Sequence, residues 1–153
     1  MTPDDPIARA FLERSLVARI ATRSPKGWPA LAPLWFVEQG GRLYTATGAA
    51  TLAARNAAAD PRVTVLLDAE AGGPSAHTLR LDGRATVRAA LPSWRVLFAF
   101  ARKYYLSPGG LRCELAHAAL WNLRRRYYAQ NEGVTIEIEV ERAELLTRPQ
   151  GVG

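Results

Sequence analysis

Cysteine occurs once in this chain, at Cys113, and histidine twice, at His77 and His117. One thiol cannot close an internal disulfide, and these three residues supply no cluster of metal ligands. Cys113 reads instead as a small apolar residue on a helix. Long hydrophobic runs are missing too. No stretch approaches the roughly 20 residues needed to cross a bilayer, and Asp4 and Asp5 stand where a secretory leader would be basic. These absences predict a cytoplasmic protein with no membrane segment. Lysine is nearly absent, so Arg supplies eighteen of the twenty basic residues.

What is present is a net charge of +6 and 48% apolar residues in 153 positions. That length suits one well-buried core, and residues 1–153 read as a single domain. The positive charge favours anions at modest salt. A phosphate-bearing small ligand fits it as well as a polynucleotide does, because the arginines are spread along the chain except between Arg95 and Arg126.

Residues 6–15 place Ile7, Phe11 and Leu12 at helical spacing behind Pro6. Leu16 to Arg23 alternates as a strand, and Ser24-Pro25-Lys26-Gly27 is a turn. Trp28 to Glu38 follows. Its Pro29 and Pro33 cannot donate to a ladder, so this strand belongs at a sheet edge, bulged or interrupted near Pro33. Gln39-Gly40-Gly41 turns the chain into Arg42 to Thr47 as an antiparallel neighbour.

After Gly48, the run AATLAARNAAAD favours helix and ends at Asp60-Pro61. Thr47, Thr51 and the free amides at its start form a potential anion cradle. The same residues also serve a plain helix cap. Arg62 to Asp68, apolar on both faces, reads as a central strand, and His77 to Arg88 as a long strand bent at Asp82-Gly83. Residues 91–131 are a helical insert broken at Ser107-Pro108-Gly109-Gly110. Its apolar surface must be covered by the barrel or by a second subunit. Gly133 to Leu145 alternates Val134, Ile136, Ile138 and Val140 against Thr135, Glu137, Glu139 and Glu141. Those glutamates are expected to pair with Arg80, Arg84 or Arg88. The sum is mainly β with α: a closed antiparallel barrel of six strands, with a helix after the third strand and a helical insert before the last.

Six short motifs occur in order: Gly27-x-Pro29 to Pro33-x-Trp35-Phe36-Val37, Gly41-x-Leu43-Tyr44, Thr47-Gly48, Thr51-Leu52-x-x-Arg55-Asn56, Asp60-Pro61-Arg62-Val63 and Asp82-Gly83-Arg84-Ala85. This series resembles the FMN-binding split-barrel superfamily, which includes pyridoxamine 5'-phosphate oxidase-like proteins and oxidoreductases dependent on the deazaflavin coenzyme F-420. The resemblance implies that the barrel is a six-stranded antiparallel split β-barrel and that two copies form a homodimer with two cofactor sites at the subunit interface. It also implies that the strand including Pro33, Leu34 and Trp35 lies against the isoalloxazine, partly through backbone. Tyr44, Thr45 and Thr47 then lie near the ring edge and ribityl chain, and Thr51 near the phosphate. FMN is the expected cofactor and the deazaflavin its alternative.

The sequence departs from the pattern at one point. The phosphate-binding Lys expected two residues after Thr51 is Ala53. One charge-assisted hydrogen bond is lost with it, on the order of 1.5–3 kcal/mol or roughly ten- to a hundredfold in affinity. Arg55, one turn further on, or an arginine of the other subunit is the candidate to substitute; if neither reaches, weak flavin binding or a different ligand is expected. In the insert, Trp94 and Trp121 are expected in the core, whereas Tyr104, Tyr105, Tyr127 and Tyr128, near basic residues, are candidates to roof a planar ring.

The expected function is a flavin- or deazaflavin-dependent oxidoreductase that passes hydride to or from a small organic substrate. The cofactor carries the reactive centre in such enzymes, so no catalytic acid or base can be picked out. The alternative is a non-catalytic barrel that binds flavin or haem. Nucleic acid is disfavoured, although Arg124, Arg125 and Arg126 stand beside Tyr127 and Tyr128, because the strands lack the exposed alternating aromatics of single-strand platforms.

Overall fold

The computed structural model describes residues 1–68, 77–90, 92–105 and 133–147. Helix α1 spans Pro6–Arg14, capped by Asp5, whose carboxylate accepts from the Ile7 amide at 2.9 Å. It buries Ala8, Phe11 and Leu12. Ile7, expected among these, points outward and is exposed.

The strands are β1 (Val17–Arg23), β2 (Pro29–Trp35), β3 (Val37–Gln39), β4 (Arg42–Gly48), β5 (Arg62–Asp68), β6 (His77–Arg88) and β7 (Gly133–Thr147). They form one antiparallel sheet in the order β2-β1-β5-β6-β7-β4-β3, curled as a split barrel. Among the described residues there are seven strands, not six. The expected long strand from Trp28 is divided at Phe36, and so helix α2 (Leu52–Ala59) follows the fourth strand. The break falls three residues beyond Pro33 because both prolines are accommodated on the outer edge strand, where an amide donor is not required.

The division at Phe36 explains how the sheet closes. Strands β2 and β3 lie at its two opposite edges yet are consecutive in the chain, so Phe36 carries the backbone from one edge to the other. No ladder joins β2 to β3 or β4 among the described residues. Gly40 and Gly41, both with positive φ (62° and 80°), then turn β3 into β4.

Inward-facing side chains alternate as the period-two pattern requires. Ala18 and Ile20, Val63, Val65 and Leu67, Leu79 and Leu81, and Ile136 and Ile138 fill the interior, and Phe36 closes it at the seam. Each large side chain stabilises the fold by about 1.5–3 kcal/mol relative to exposure. The central placement of the strand 62–68 and the bend at Asp82-Gly83 are as expected: β5 lies between β1 and β6, and the β6–β7 register shifts between Asp82 and Gly83.

Helix α2 packs against β1, β2, β6 and β7. Its buried Asn56 donates to Thr22 of β1 at 3.1 Å. Helix α3 (Trp94–Tyr104) rests on β3. It buries Val96 and Tyr104 and leaves Trp94, Leu97 and Phe98 exposed. Trp94 is therefore not a core residue: it opens the helix on the outward face, 72% exposed, with the Arg95 guanidinium over its ring. Trp121, Tyr127, Tyr128, Arg124, Arg125, Arg126, Cys113 and His117 lie outside the described residues, as does most of the insert. No helix among the described residues is long and apolar enough to cross a membrane.

Candidate functional site

The eight expected cofactor residues fall on two faces of the sheet and on one helix. Along β2, Pro29, Leu31, Pro33 and Trp35 face outward and are exposed, while Ala32 and Leu34 turn inward and pack against the core. The outer edge of the sheet is thus an apolar strip. Trp35 is its end, with its ring stacked on Tyr104 at 4.6 Å and 6° and set edge-on to Tyr105 at 6.5 Å. Tyr44 belongs to the same side. It pairs with Val37 across the β3–β4 hairpin and packs against the cluster of Val37, Val96 and Tyr104.

Thr45 and Thr47 alternate to the other face and are buried. Thr45 Oγ1 donates to the Trp35 carbonyl at 2.7 Å. It closes the sheet rather than presenting a hydroxyl outward. Thr47 Oγ1 lies 3.3 Å from Thr51 Oγ1, joining the end of β4 to the start of α2.

Thr51 is the N-cap of α2: its hydroxyl accepts from the Ala54 amide at 3.3 Å and donates to the Gly48 carbonyl at 2.8 Å. Capping is therefore its role in the fold. The amides of Leu52 and Ala53, in the first turn, have no carbonyl partner within the helix, so donors for an anion stand there. Ala53 itself is 3% exposed and packs in the barrel core. A lysine at this position would have to leave the core to reach an anion, and the outward positions of the first turns are Leu52 and Arg55. Arg55 is exposed, one turn beyond Thr51, and makes no ion pair among the described residues. The donors near the start of α2 are these first-turn amides and the exposed Arg55 guanidinium, a set whose chemistry suits an anion and includes no lysine.

The seam between β2 and β3 is held by a residue that periodicity does not single out. The Tyr104 hydroxyl accepts from the Phe36 amide at 2.9 Å, and its own proton lies between the carbonyls of Phe36 and Leu16, both at 2.7 Å. Next to it, Lys103 Nζ sits 3.6 Å over the Phe36 ring and donates to the Leu12 carbonyl at 3.0 Å. Tyr104 is buried and does not roof a ring. Its signal in the sequence was limited to an aromatic flanked by a cation near a helix end.

Electrostatics on the outer sheet are structural. Glu137, nearly buried, is held by Arg42 and Arg88. Burial opposes its ionisation, but the hydrogen bonds from Arg42 and Arg88 outweigh it and keep the carboxyl below its usual range. Glu141 pairs with Arg84 at 3.0 Å, and Arg80 reaches Asp82 at 3.0 Å and Glu144 at 3.9 Å. The expected glutamate–arginine pairing is present. Arg42, from the neighbouring strand, is the added partner. No group of three metal-ligating side chains occurs among the described residues.

Two clefts of about 430 Å³ each lie elsewhere, around Arg23, Asp60 and Arg62, and none of the eight residues lines them. Hydrogen bonds from Arg62, then Arg23, hold Asp60 far below the usual carboxylate range. That carboxylate is already saturated, and these clefts are structural ion-pair surroundings rather than a ring site.

The strand order and the helix after the β3–β4 hairpin define a class, and comparison with solved structures shows the same fold. An F-420 reductase superposes with a TM-score of 0.61 at 19% identity, over 89% of this chain and 94% of that one. An FAD-binding protein of Mesorhizobium loti gives 0.59 at 20% identity, over 93% of each chain. The haem storage protein HutZ of Vibrio cholerae gives 0.61 at 17% identity, over 99% of each. The sequence profile of the pyridoxamine 5'-phosphate oxidase family matches residues 5–145, and the chain belongs to that family. No curated protein is significantly similar in sequence.

Proposed function

We propose that this protein is an oxidoreductase that holds FMN, or the deazaflavin F-420, at the interface of a homodimer and serves hydride transfer with a small organic substrate. The observation that carries the reading is a pairing of two surfaces on neighbouring elements. Helix α2, whose first amides and Arg55 can take a phosphate, packs against β2, whose outer face is the apolar strip ending in Trp35. A planar ring with an anionic tail has that combination of chemistry. The strip is exposed at Pro29, Leu31, Pro33 and Trp35, and an apolar face of that kind suits completion of the site by a second subunit. When bound, the cofactor would supply the hydride chemistry. This chain would supply orientation through Trp35 and Tyr44, charge neutralisation through Arg55, and exclusion of water through the apolar strip. The family match and the flavin- and F-420-related neighbours support the same reading.

The alternative, a barrel that binds flavin or haem without turnover, has its likeness in HutZ. Among the described residues the one histidine, His77, opens β6 and does not belong to the strip.

The test is fluorescence titration of the purified protein with FMN, F-420 and haem separately, with molecular mass recorded in solution. Saturable binding of FMN or F-420 by a dimer is the expected result. Binding of haem alone would transfer the assignment to the alternative, and no binding of FMN or F-420 would overturn the oxidoreductase reading.

A further inference from the structure

The geometry points to Tyr104 as the positioning residue of the ring-binding strip: through its hydroxyl and its ring, helix α3 sets the orientation of Trp35 and the path of the chain at Phe36. This rests on the proposed function for its ligand, and on the fold alone for its mechanism.

Phe36 is the residue at which the chain leaves one sheet edge and enters the other, so ladder pairing cannot serve its backbone groups. Buried backbone groups without partners are strongly disfavoured. One tyrosine hydroxyl meets both, accepting from the Phe36 amide and donating toward the Phe36 and Leu16 carbonyls. Leu16 immediately precedes β1, the strand that pairs with β2 along its length. The hydroxyl therefore ties together the start of β1 and the crossing from β2 to β3.

The ring of the same residue is the floor beneath Trp35. The two planes differ by 6° with centroids 4.6 Å apart, and Phe100 lies behind Tyr104 at 5.9 Å. A ligand ring placed on the strip meets an indole whose tilt is fixed from below. The backbone near the seam is committed as well. The Phe36 amide belongs to Tyr104, and the Trp35 carbonyl receives the Thr45 hydroxyl. A cofactor ring here would rest on the face of Trp35, whose placement depends on Tyr104.

The experiment compares the full-length protein with Tyr104→Phe, which keeps the ring and removes the hydroxyl. Amide exchange at Phe36 is measured without cofactor, followed by titration with FMN and with F-420 and recording of the bound chromophore's visible spectrum. A core truncation in the middle of β5, Val65→Ala, serves as a control for general destabilisation. Expected in Tyr104→Phe are Phe36 exchange faster by about tenfold, affinity lower by about tenfold, and a displaced absorption band. Val65→Ala should leave the band in place. Unchanged affinity and spectrum in Tyr104→Phe, with binding intact in the parent, would overturn the positioning role and leave the oxidoreductase reading standing. If the parent binds neither cofactor, that reading falls. Phe36 exchange then decides the clamp alone, and an unchanged rate overturns it. Should Tyr104→Phe not fold, Phe100→Leu loosens the support behind the ring and keeps the hydroxyl: a lower affinity and a displaced band are expected, and unchanged values of both would overturn the positioning role.

Discussion

Thr45 and Trp35 are joined across the opening of the sheet, the threonine hydroxyl donating to the tryptophan carbonyl at 2.7 Å. This bond links β4 to the last residue of β2, two strands that share no ladder. Thr45→Val keeps the shape and removes the donor. The expected cost is about 1–2 kcal/mol of stability, read as a lower urea midpoint at unchanged slope. Thr45→Ser should recover most of it. A midpoint equal to that of the parent would show that the closure does not depend on this bond.

Capping and anion binding at Thr51 can be separated by charge. Thr51→Asp retains a side chain that caps well but loses the donor to the Gly48 carbonyl, so stability should fall by only about 1 kcal/mol. It also places a carboxylate beside the amides of Leu52 and Ala53, and FMN or F-420 affinity should fall by at least about tenfold. Arg55→Ala is the complement, with a comparable loss of affinity and an unaltered melting temperature, because Arg55 is exposed. Equal affinity in both variants would remove the start of α2 from the site.

The pH dependence follows from three carboxylates held below their ordinary values: Asp60, Asp82 and Glu137. A depressed folded-state pKa contributes stability that is present above the unfolded value and lost as pH falls through the folded one. Stability should therefore be level near neutrality and decline below about pH 4, where unfolded carboxylates begin to take protons. Glu137→Gln removes one such group, so its acid limb should be shallower and its stability at pH 7 lower. Denaturant midpoints across pH 2–7 would test this, and parallel curves for the two proteins would exclude Glu137 as a contributor.

At Gly83 the constraint is contact with neighbouring backbone. A Cβ there would sit well inside van der Waals distance of the Glu139 carbonyl oxygen, on a strand whose register shifts at that point. Gly83→Ala should cost about 1–3 kcal/mol, since backbone cannot give way as a flexible side chain can. A melting temperature equal to the parent's would show that the bulge relaxes freely.

Period-two alternation in β1, β5 and β7 and the prolines of β2 made those strands legible in the sequence. Alternation reports which face is buried, and proline reports an edge. An interruption near Pro33 was legible from the prolines, but its place at Phe36 was not. Nothing local breaks the strand there; the cause is closure of the sheet, a property of strands distant in sequence. Tyr104 was misread for a related reason. A buried aromatic hydroxyl and an exposed one look alike in sequence, and the partners that distinguish them lie 68 and 88 positions away. Trp94 failed in the opposite direction, because hydrophobicity predicts burial and does not say whether this chain provides the cover. For the candidate site, residue types were readable and their facing was partly so. Alternation separates Tyr44 from Thr45 and Thr47, whereas the inward turn of Ala53 depends on how α2 seats on the barrel.

The position of β7 bears on how the molecule assembles during synthesis. It joins two groups of strands, β2-β1-β5-β6 on one side and β4-β3 on the other, through β6 and β4. All of those strands precede it in the chain. Until residues 133–147 have been made, β4 and β6 each offer an open edge to any other strand. Pairings across large sequence separations are slow to form, which prolongs that interval. The nascent chain is then most exposed to wrong pairing and aggregation, and chaperone dependence should end only when β7 is in place.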